Sequence, residues 1–224
     1  MRTSVLVLLA MGLLSACAFA VDGVILINNA TVLAAGGYPY TISQPGSYKL
    51  SGNLVAPLNK DTIFINADNV TLDLAGFNVQ CSVQPQSGTI NAVRCITGPG
   101  GLHNVSVRNG TVTATAVAGA DNQYQLSPVA FVLSDGMTLE EVKTETFDPA
   151  FSPLSFNLST EVVLPANSLV RNNTFFSGGT GPSLPPSLAI DCPSVVVENI
   201  LVANFSLVGL GPAGCVVANN VKIS

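Results

Sequence analysis

Hydrophobic and polar residues alternate in short stretches along most of this chain. The clearest stretch is Ile63–Val79, in which Val70 and Leu72 alternate with Thr71 and Asp73. A period of two residues is that of a β-strand with one buried face. The pattern therefore predicts short strands with one face in a core.

The same unit recurs along the chain with variable spacing. Its first core position, which we call the anchor, falls at Val70, Val105, Met137, Ser168, Val195 and Cys215. Two residues later each copy has an aliphatic residue, at Leu72, Val107, Leu139, Val170, Val197 and Val217. The anchors are 35 residues apart at the start (70 to 105) and 20 apart at the end (195 to 215). A constant core with variable spacing predicts a stacked β-solenoid with loops of different lengths.

Asparagine occupies a fixed place in four copies. It stands four residues after the anchor at Asn109, Asn172, Asn199 and Asn219. Asn tolerates the left-handed backbone region, and its amide can bond the neighbouring backbone. Stacked asparagines can also bond one another. We expect these four to form a ladder at one corner; the alternative is four ordinary turn residues.

The first twenty residues predict a secretory signal. Arg2 is the positive start, Val5–Leu14 is the apolar core, and Ala18-Phe19-Ala20 is an A-x-A cleavage site. The apolar run is too short to cross a bilayer, and no later stretch is long and apolar enough. A competing interpretation is a lipobox that places a lipid on Cys17. We favour cleavage after Ala20, which makes the protein secreted, periplasmic or displayed at the cell surface.

The rest of the chain divides into two parts. Residues 21–58 predict an N-terminal β module that covers the open end of the stack, because a bare edge would recruit another chain. Residues 59–224 predict the solenoid itself. Two stretches fit the repeat poorly and predict long loops: residues 114–165, rich in acids and phenylalanine, and residues 177–187, rich in Gly, Pro and Ser.

Four cysteines remain after the leader: Cys81, Cys95, Cys192 and Cys215. An even number in an exported chain suggests disulfides, and four cysteines allow three connectivities. Short loops close at the lower entropic cost, which favours Cys81–Cys95 and Cys192–Cys215. The alternative is four small buried residues without a bridge.

The segments NVTLDLAGF, NVSVRNGTV and SLVRNNTF resemble coils of the right-handed parallel β-helix proteins of the pectate-lyase-like superfamily. The resemblance covers residues 61–224. Together with DGVILI and PGSYKLSGNL, these segments also resemble exported bacterial β-helix repeat proteins of unassigned function. The resemblance implies an all-β, right-handed parallel β-helix with three short strands per coil and an N-terminal β cap.

The superfamily includes polysaccharide lyases and hydrolases, and each class uses its own set of catalytic residues. Such lyases use clustered acids that hold Ca²⁺ and an Arg or Lys base. The candidate acids here are Asp135, Glu140, Glu141, Glu145 and Asp148. The candidate bases are Arg94, Arg108 and Arg171. We favour a solvated acidic loop over a calcium site and solvent-facing arginines over catalytic ones, and we expect no cofactor.

Hydrolases of this superfamily need several neighbouring Asp residues and a His. His103 is the only histidine, and no Asp is paired in the sequence. The net charge is −5, with eight scattered basic residues, which does not favour a nucleic-acid partner. We therefore expect a non-catalytic scaffold or glycan-binding face; the alternative is a polysaccharide lyase or glycoside hydrolase. An uncovered edge of the C-terminal coil would invite pairing. We therefore expect either a loop that covers this coil or weak self-association through it, and we favour self-association.

Overall fold

The computed structural model describes residues 23–84, 91–117, 124–131, 134–147, 160–177, 187–202, 206–210 and 214–223. Within these ranges the protein is all-β, with 20 strands and one short helix, α1 (Asn29–Ala34). No helix in the described part of the chain has the length and hydropathy needed to span a membrane. The predicted leader, including Cys17 and the cleavage site, lies outside the described residues.

The strands form three columns of parallel neighbours. The first column contains β1 (Val24–Ile27), β3 (Gly46–Leu50), β6 (Val70–Asp73), β9 (Val105–Ala116), β11 (Thr138–Phe147), β13 (Leu169–Arg171), β16 (Val195–Val197) and β19 (Val216–Ala218). The second contains β4 (Leu54–Val55), β7 (Asn78–Val83), the later halves of β9 and β11, β14 (Thr174–Ser177), β17 (Ile200–Val202) and β20 (Val221–Ile223). The third contains β2 (Tyr40–Ile42), β5 (Ile63–Ile65), β8 (Asn91–Thr97), β10 (Tyr124–Ala130), β12 (Thr160–Leu164), β15 (Ser187–Asp191) and β18 (Ser206–Leu210).

The first two columns belong to one 13-stranded sheet, and the third is a 7-stranded sheet. The chain passes through the columns in the same order each time, and we call one pass a layer. β9 and β11 run without interruption through two columns. Gly110 permits this in β9, because a Cβ there would lie 2.3 Å from Cβ of Leu74.

The core lies between the columns and is lined by the predicted positions. Leu72 pairs in register with Val107, Val107 with Leu139, and Leu139 with Val170. All four side chains are at most 1% exposed. Parallel strands that stack identical positions thus bury a continuous aliphatic column, as the repeat predicts.

The predicted anchor of this layer, Val195, is one residue too far towards the C-terminus. Val170 pairs with Val196, which is buried, whereas Val195 is 39% exposed. The core positions of this layer are therefore Ser194 and Val196 rather than Val195 and Val197. The cause is the run of three valines in β16: a period of two offers two equal registers there, and each places the opposite set of side chains inside.

Residues 114–165 contain more regular structure than the sequence predicts. The end of β9 and all of β10, β11 and β12 lie in this range. Acids that obscure the repeat lie on the outer side of a strand or at a corner, as Glu140 and Glu141 do. The aromatic residues Tyr124 and Phe131 are instead buried in the core. The two stretches 148–159 and 178–186 lie outside the described residues.

The N-terminal module is part of the same columns. β1 pairs with β3, and β2 pairs with β5, so residues 24–55 add strands to both sheets. Helix α1 is the unpredicted element, and it replaces a strand in the second column of the first layer. It begins with a capping box in which Asn28 accepts from the Thr31 backbone, and it buries Val32 in the core.

Candidate functional site

Polar side chains cover the outer side of three successive layers. The group, which we call the polar face, comprises Asp68, Thr71 and Asp73 in one layer, His103, Ser106 and Arg108 in the next, and Asp135, Thr138 and Glu140 in the third. The members that lie in strands alternate with buried aliphatic residues, so they point away from the core, and the other three lie at the corner before the strands. The face consists of three rows that run along the stack: a corner row, a hydroxyl row and a charged row.

The hydroxyl row is aligned by strand pairing. Thr71 pairs with Ser106, and Ser106 pairs with Thr138. The row continues backwards to Ser47, which pairs with Thr71. Neighbouring strands lie about 4.8 Å apart, so the row presents one hydroxyl at each such step. Each hydroxyl can both donate and accept a hydrogen bond.

The charged row alternates in sign from layer to layer. Lys49 pairs with Asp73, Asp73 with Arg108, and Arg108 with Glu140. Arg171 extends the row and donates a hydrogen bond to Glu140. The Arg108 Nη2 and Asp73 Oδ2 atoms are 3.9 Å apart. Opposite charges directly across a strand pair favour this register, although exposed pairs contribute little energy each.

The arginines predicted as candidate bases therefore sit among carboxylates. Arg108 and Arg171 belong to the charged row, as their shared position in the repeat suggests. Arg94 lies elsewhere, in β8, where its Nη2 donates to Gln125 Oε1 at 3.2 Å and its backbone N–H donates to Asp61 at 2.7 Å. The three arginines do not meet at one site.

The corner row places His103 between two carboxylates. The backbone N–H of His103 donates to Asp68 Oδ1 at 2.8 Å, and its Nδ1 atom lies 3.9 Å from Asp135 Oδ2. Asp135 also accepts a 2.7 Å bond from Asn167 Nδ2. His103 and Asp135 are well exposed, with side-chain exposures of 63% and 49%. No local sequence pattern predicts this arrangement, because Asp68 and Asp135 are 67 residues apart and approach His103 only when the layers stack.

The predicted calcium acids are spread over the surface. Asp135 lies at the corner, Glu140 bonds Arg171, and Glu141 occupies an exposed corner with φ 55°. Glu145 lies in the second column, where its Oε1 atom is 2.5 Å from Lys143 Nζ. Asp148 lies outside the described residues. Among the residues described, no three metal-binding side chains are grouped closely enough to hold an ion.

The predicted corner asparagines occupy two adjacent positions. Asn109, Asn172 and Asn219 have φ between 55° and 59°, the left-handed conformation expected of them. Asn199 lies at the next position of the repeat, because the core residue that begins its layer is Ser194 and not Val195. There it joins Asn173 and Asn220 in a hydrogen-bonded asparagine ladder, which we define by these three residues.

Both disulfides favoured by sequence spacing are present. Cys81–Cys95 joins β7 to β8 inside the core, and both residues are fully buried. Cys192–Cys215 links two successive layers at the corner before the first column and is partly exposed. Two disulfides indicate an oxidising compartment.

A shallow groove of about 430 Å³ lies beside the second disulfide. Leu169, Val195 and Val216 form its apolar wall. These three residues continue the hydroxyl row into the later layers, because Thr138 pairs with Leu169, Leu169 with Val195, and Val195 with Val216. The hydroxyl-row position of the first column is thus polar from β3 to β11 and apolar in β13, β16 and β19.

Comparison of the chain with protein-family models, with curated proteins and with solved structures found no match.

Proposed function

We propose that the protein is an exported, right-handed parallel β-helix that serves as a rigid scaffold and binds glycans at its polar face. The fold part of this proposal is supported by the three columns, which the chain visits in one order. Connections between parallel strands are right-handed in about 98% of cases. The similarity of NVTLDLAGF and NVSVRNGTV to pectate-lyase-like coils supports the same fold.

Export is supported by two independent features. One is the pair of disulfides, which form and persist in oxidising compartments. The other is the signal sequence predicted over residues 1–20, with cleavage after Ala20. Processing as a lipoprotein at Cys17 would place the same domain at a membrane surface.

The regular spacing of the polar face carries the glycan part of the proposal. Rows of hydroxyl, carboxylate and guanidinium groups repeat at about 4.8 Å along the stack, and positions two residues apart on a strand are about 6.6 Å apart. A polysaccharide also presents hydroxyl groups in a repeating series, each able to donate and accept. The acids and arginines of the charged row lie beside one another and offset one another's charge. The face therefore favours neutral glycans over strongly charged ones.

Binding to immobilised neutral, uronic-acid and amino glycans tests the proposal, with and without Ca²⁺. We expect the triple variant Thr71→Ala, Ser106→Ala and Thr138→Ala to weaken binding at least tenfold. The matched control removes three outward hydroxyls from the second column: Thr111→Ala, Thr115→Ala and Thr174→Ala. Absence of binding to every glycan, or equal loss in both variants, would contradict a site at the polar face.

A second candidate function is cleavage of a glycan at the corner row. The observation that favours it is His103 between Asp68 and Asp135, since paired acids and a histidine are groups that general acid–base catalysis uses. The same glycan incubations test it by release of reducing or unsaturated ends. Product formation that disappears in His103→Ala would replace the binding function with an enzymatic one.

A further inference from the structure

An apolar groove continues the polar face into the later layers. The last hydroxyl of the hydroxyl row is that of Thr138. The same row position holds Leu169 in β13, Val195 in β16 and Val216 in β19. Paired strands lie about 4.8 Å apart, so Leu169 is one such step from Thr138 and Val216 is three steps away. The groove beside the second disulfide lies against these three apolar side chains. A ligand that follows the row therefore passes from hydroxyl groups onto an apolar surface.

Polar groups along the groove bond one another within the protein. The Ser168 hydroxyl donates to the Pro165 carbonyl at 2.6 Å, and the Ser194 hydroxyl donates to the same carbonyl at 3.4 Å. The Ser194 hydroxyl also accepts from the Ser168 backbone N–H at 3.0 Å. The backbone N–H groups of Val195 and Val216 donate to the carbonyls of Ser168 and Ser194. An apolar occupant therefore leaves none of these groups without a hydrogen bond.

The groove is uncharged and is joined to the polar face. None of the described residues that line it carries a charge. Asn167, one of the lining residues, connects the groove to the corner row, because its Nδ2 atom donates to Asp135 Oδ1 at 2.7 Å. The Cys192–Cys215 disulfide joins the two layers that carry Val195 and Val216, so it holds the apolar wall in place before a ligand binds. An uncharged, preformed apolar wall fits the alkyl chain of an amphipathic molecule.

We propose that the ligand of the polar face is a neutral glycolipid, whose sugar groups bind the hydroxyl row and whose alkyl chain lies in the groove. This inference rests on the glycan-binding function proposed above and adds the class of molecule that carries the glycan. The volume of the groove lies within the range of roughly 300–1,000 Å³ that ligand sites occupy. Because the groove is shallow, it buries one side of a single chain. Each methylene group that leaves water adds to the affinity, so the affinity rises with chain length.

Binding of methyl, hexyl, octyl and decyl β-maltoside to the mature protein tests this proposal. These four probes share one neutral disaccharide and differ only in the length of the alkyl chain. Binding is measured by isothermal titration calorimetry below the critical micelle concentration of each probe. We expect the dissociation constant to fall at least tenfold from the methyl to the decyl compound. Equal affinity for all four compounds, or no binding of decyl maltoside, overturns the glycolipid proposal.

The double variant Val195→Thr and Val216→Thr tests whether the groove binds the alkyl chain. Threonine keeps the β-branched shape of valine but makes the wall polar. The two side chains point outward and are 39% and 59% exposed, so the variant should fold. We expect it to bind the methyl and decyl compounds with equal affinity. The matched control is Ile200→Thr and Val221→Thr in the second column of the same two layers, where the exposures are 39% and 54%. The control should keep the full gain with chain length. A gain that survives in the groove variant, or disappears in both, contradicts the proposal.

The polar-face variant Thr71→Ala, Ser106→Ala and Thr138→Ala separates this proposal from the glycan-binding function on which it rests. If both are correct, this variant binds every maltoside at least tenfold more weakly and keeps the gain with chain length. An unchanged affinity for decyl maltoside would mean that the protein binds the alkyl chain alone. That result would overturn the glycan site and the glycolipid together, whereas equal affinity of the wild type for all four compounds overturns the glycolipid alone.

Discussion

Asn199 donates both its backbone N–H and its side-chain amide to the Oδ1 atom of Asn220, at 2.9 Å each. Asn173 makes the same two bonds to Asn199, at 3.0 Å each. The Asn199 amide also donates to the carbonyls of Val170 and Val197. A carboxamide that is 1% exposed is thus bonded on every side. Buried polar groups of this kind fix one register, since any slip of a layer would leave them without partners.

Replacement of Asn199 by Ala should therefore be costly. It would leave the buried Asn173 backbone N–H without its acceptor and remove the Asn199 bond to the Val170 carbonyl. We expect a loss of about 2–4 kcal/mol in the free energy of unfolding, measured by urea denaturation. Asn172→Gly is the matched control: Asn172 is exposed with φ 55°, and glycine adopts that conformation without a steric cost. A control that loses as much stability as Asn199→Ala would contradict the ladder's role.

The sequence predicts the all-β class, the parallel stacking of Leu72, Val107 and Leu139, and the disulfide pairing. These features follow from local alternation and from loop length, which a single sequence displays. Local alternation does not determine the register of a uniform run, so the repeat predicts Val195 in the core, where the structure places Val196. The polar face also depends on stacking: Asp68, His103 and Asp135 come from three layers, and no local pattern joins them.

The one-residue correction in β16 gives a direct test with neighbouring positions. Val196 is buried at 2% exposure, whereas Val197 lies on the outer side between Arg171 and Ala218. Val196→Asp should lose about 3–5 kcal/mol or fail to fold, because it buries an unpaired charge. Val197→Asp should cost less than about 1 kcal/mol and places a carboxylate beside Arg171. Thermal unfolding of both variants decides the register. If Val197→Asp were the less stable variant, Val195 and Val197 would be the core positions, as the repeat predicts.

The two disulfides should differ in their access to reductant. Cys81 and Cys95 are fully buried, while Cys192 and Cys215 are partly exposed. Under native conditions a mild thiol should therefore reduce Cys192–Cys215 first, as followed by alkylation and peptide mass analysis. The bridged residues are 14 and 23 positions apart, so loss of either bridge should cost about 3 kcal/mol by the chain-entropy estimate. Equal rates of reduction in the folded protein would contradict the different burial.

Asp61 should make stability depend on pH. Burial raises the pKa of Asp61, and the nearby Arg94 opposes this only in part. A carboxyl with a raised pKa holds its proton more tightly in the folded protein than in the unfolded chain. Stability therefore falls as the pH rises from the unfolded pKa of about 3.9 through the higher folded value.

Asp61→Asn removes this ionisation and keeps an oxygen for the Arg94 backbone N–H, which now bonds Asp61 Oδ1 at 2.7 Å. We expect the variant to be more stable than the wild type at pH 7, because the wild type must keep a charge in a partly buried place. The difference should shrink as the pH falls towards 3, where the wild-type carboxyl is also neutral. Unfolding midpoints of both proteins across this range measure it. A variant that is less stable at pH 7 would mean that attraction to Arg94 outweighs the cost of burial.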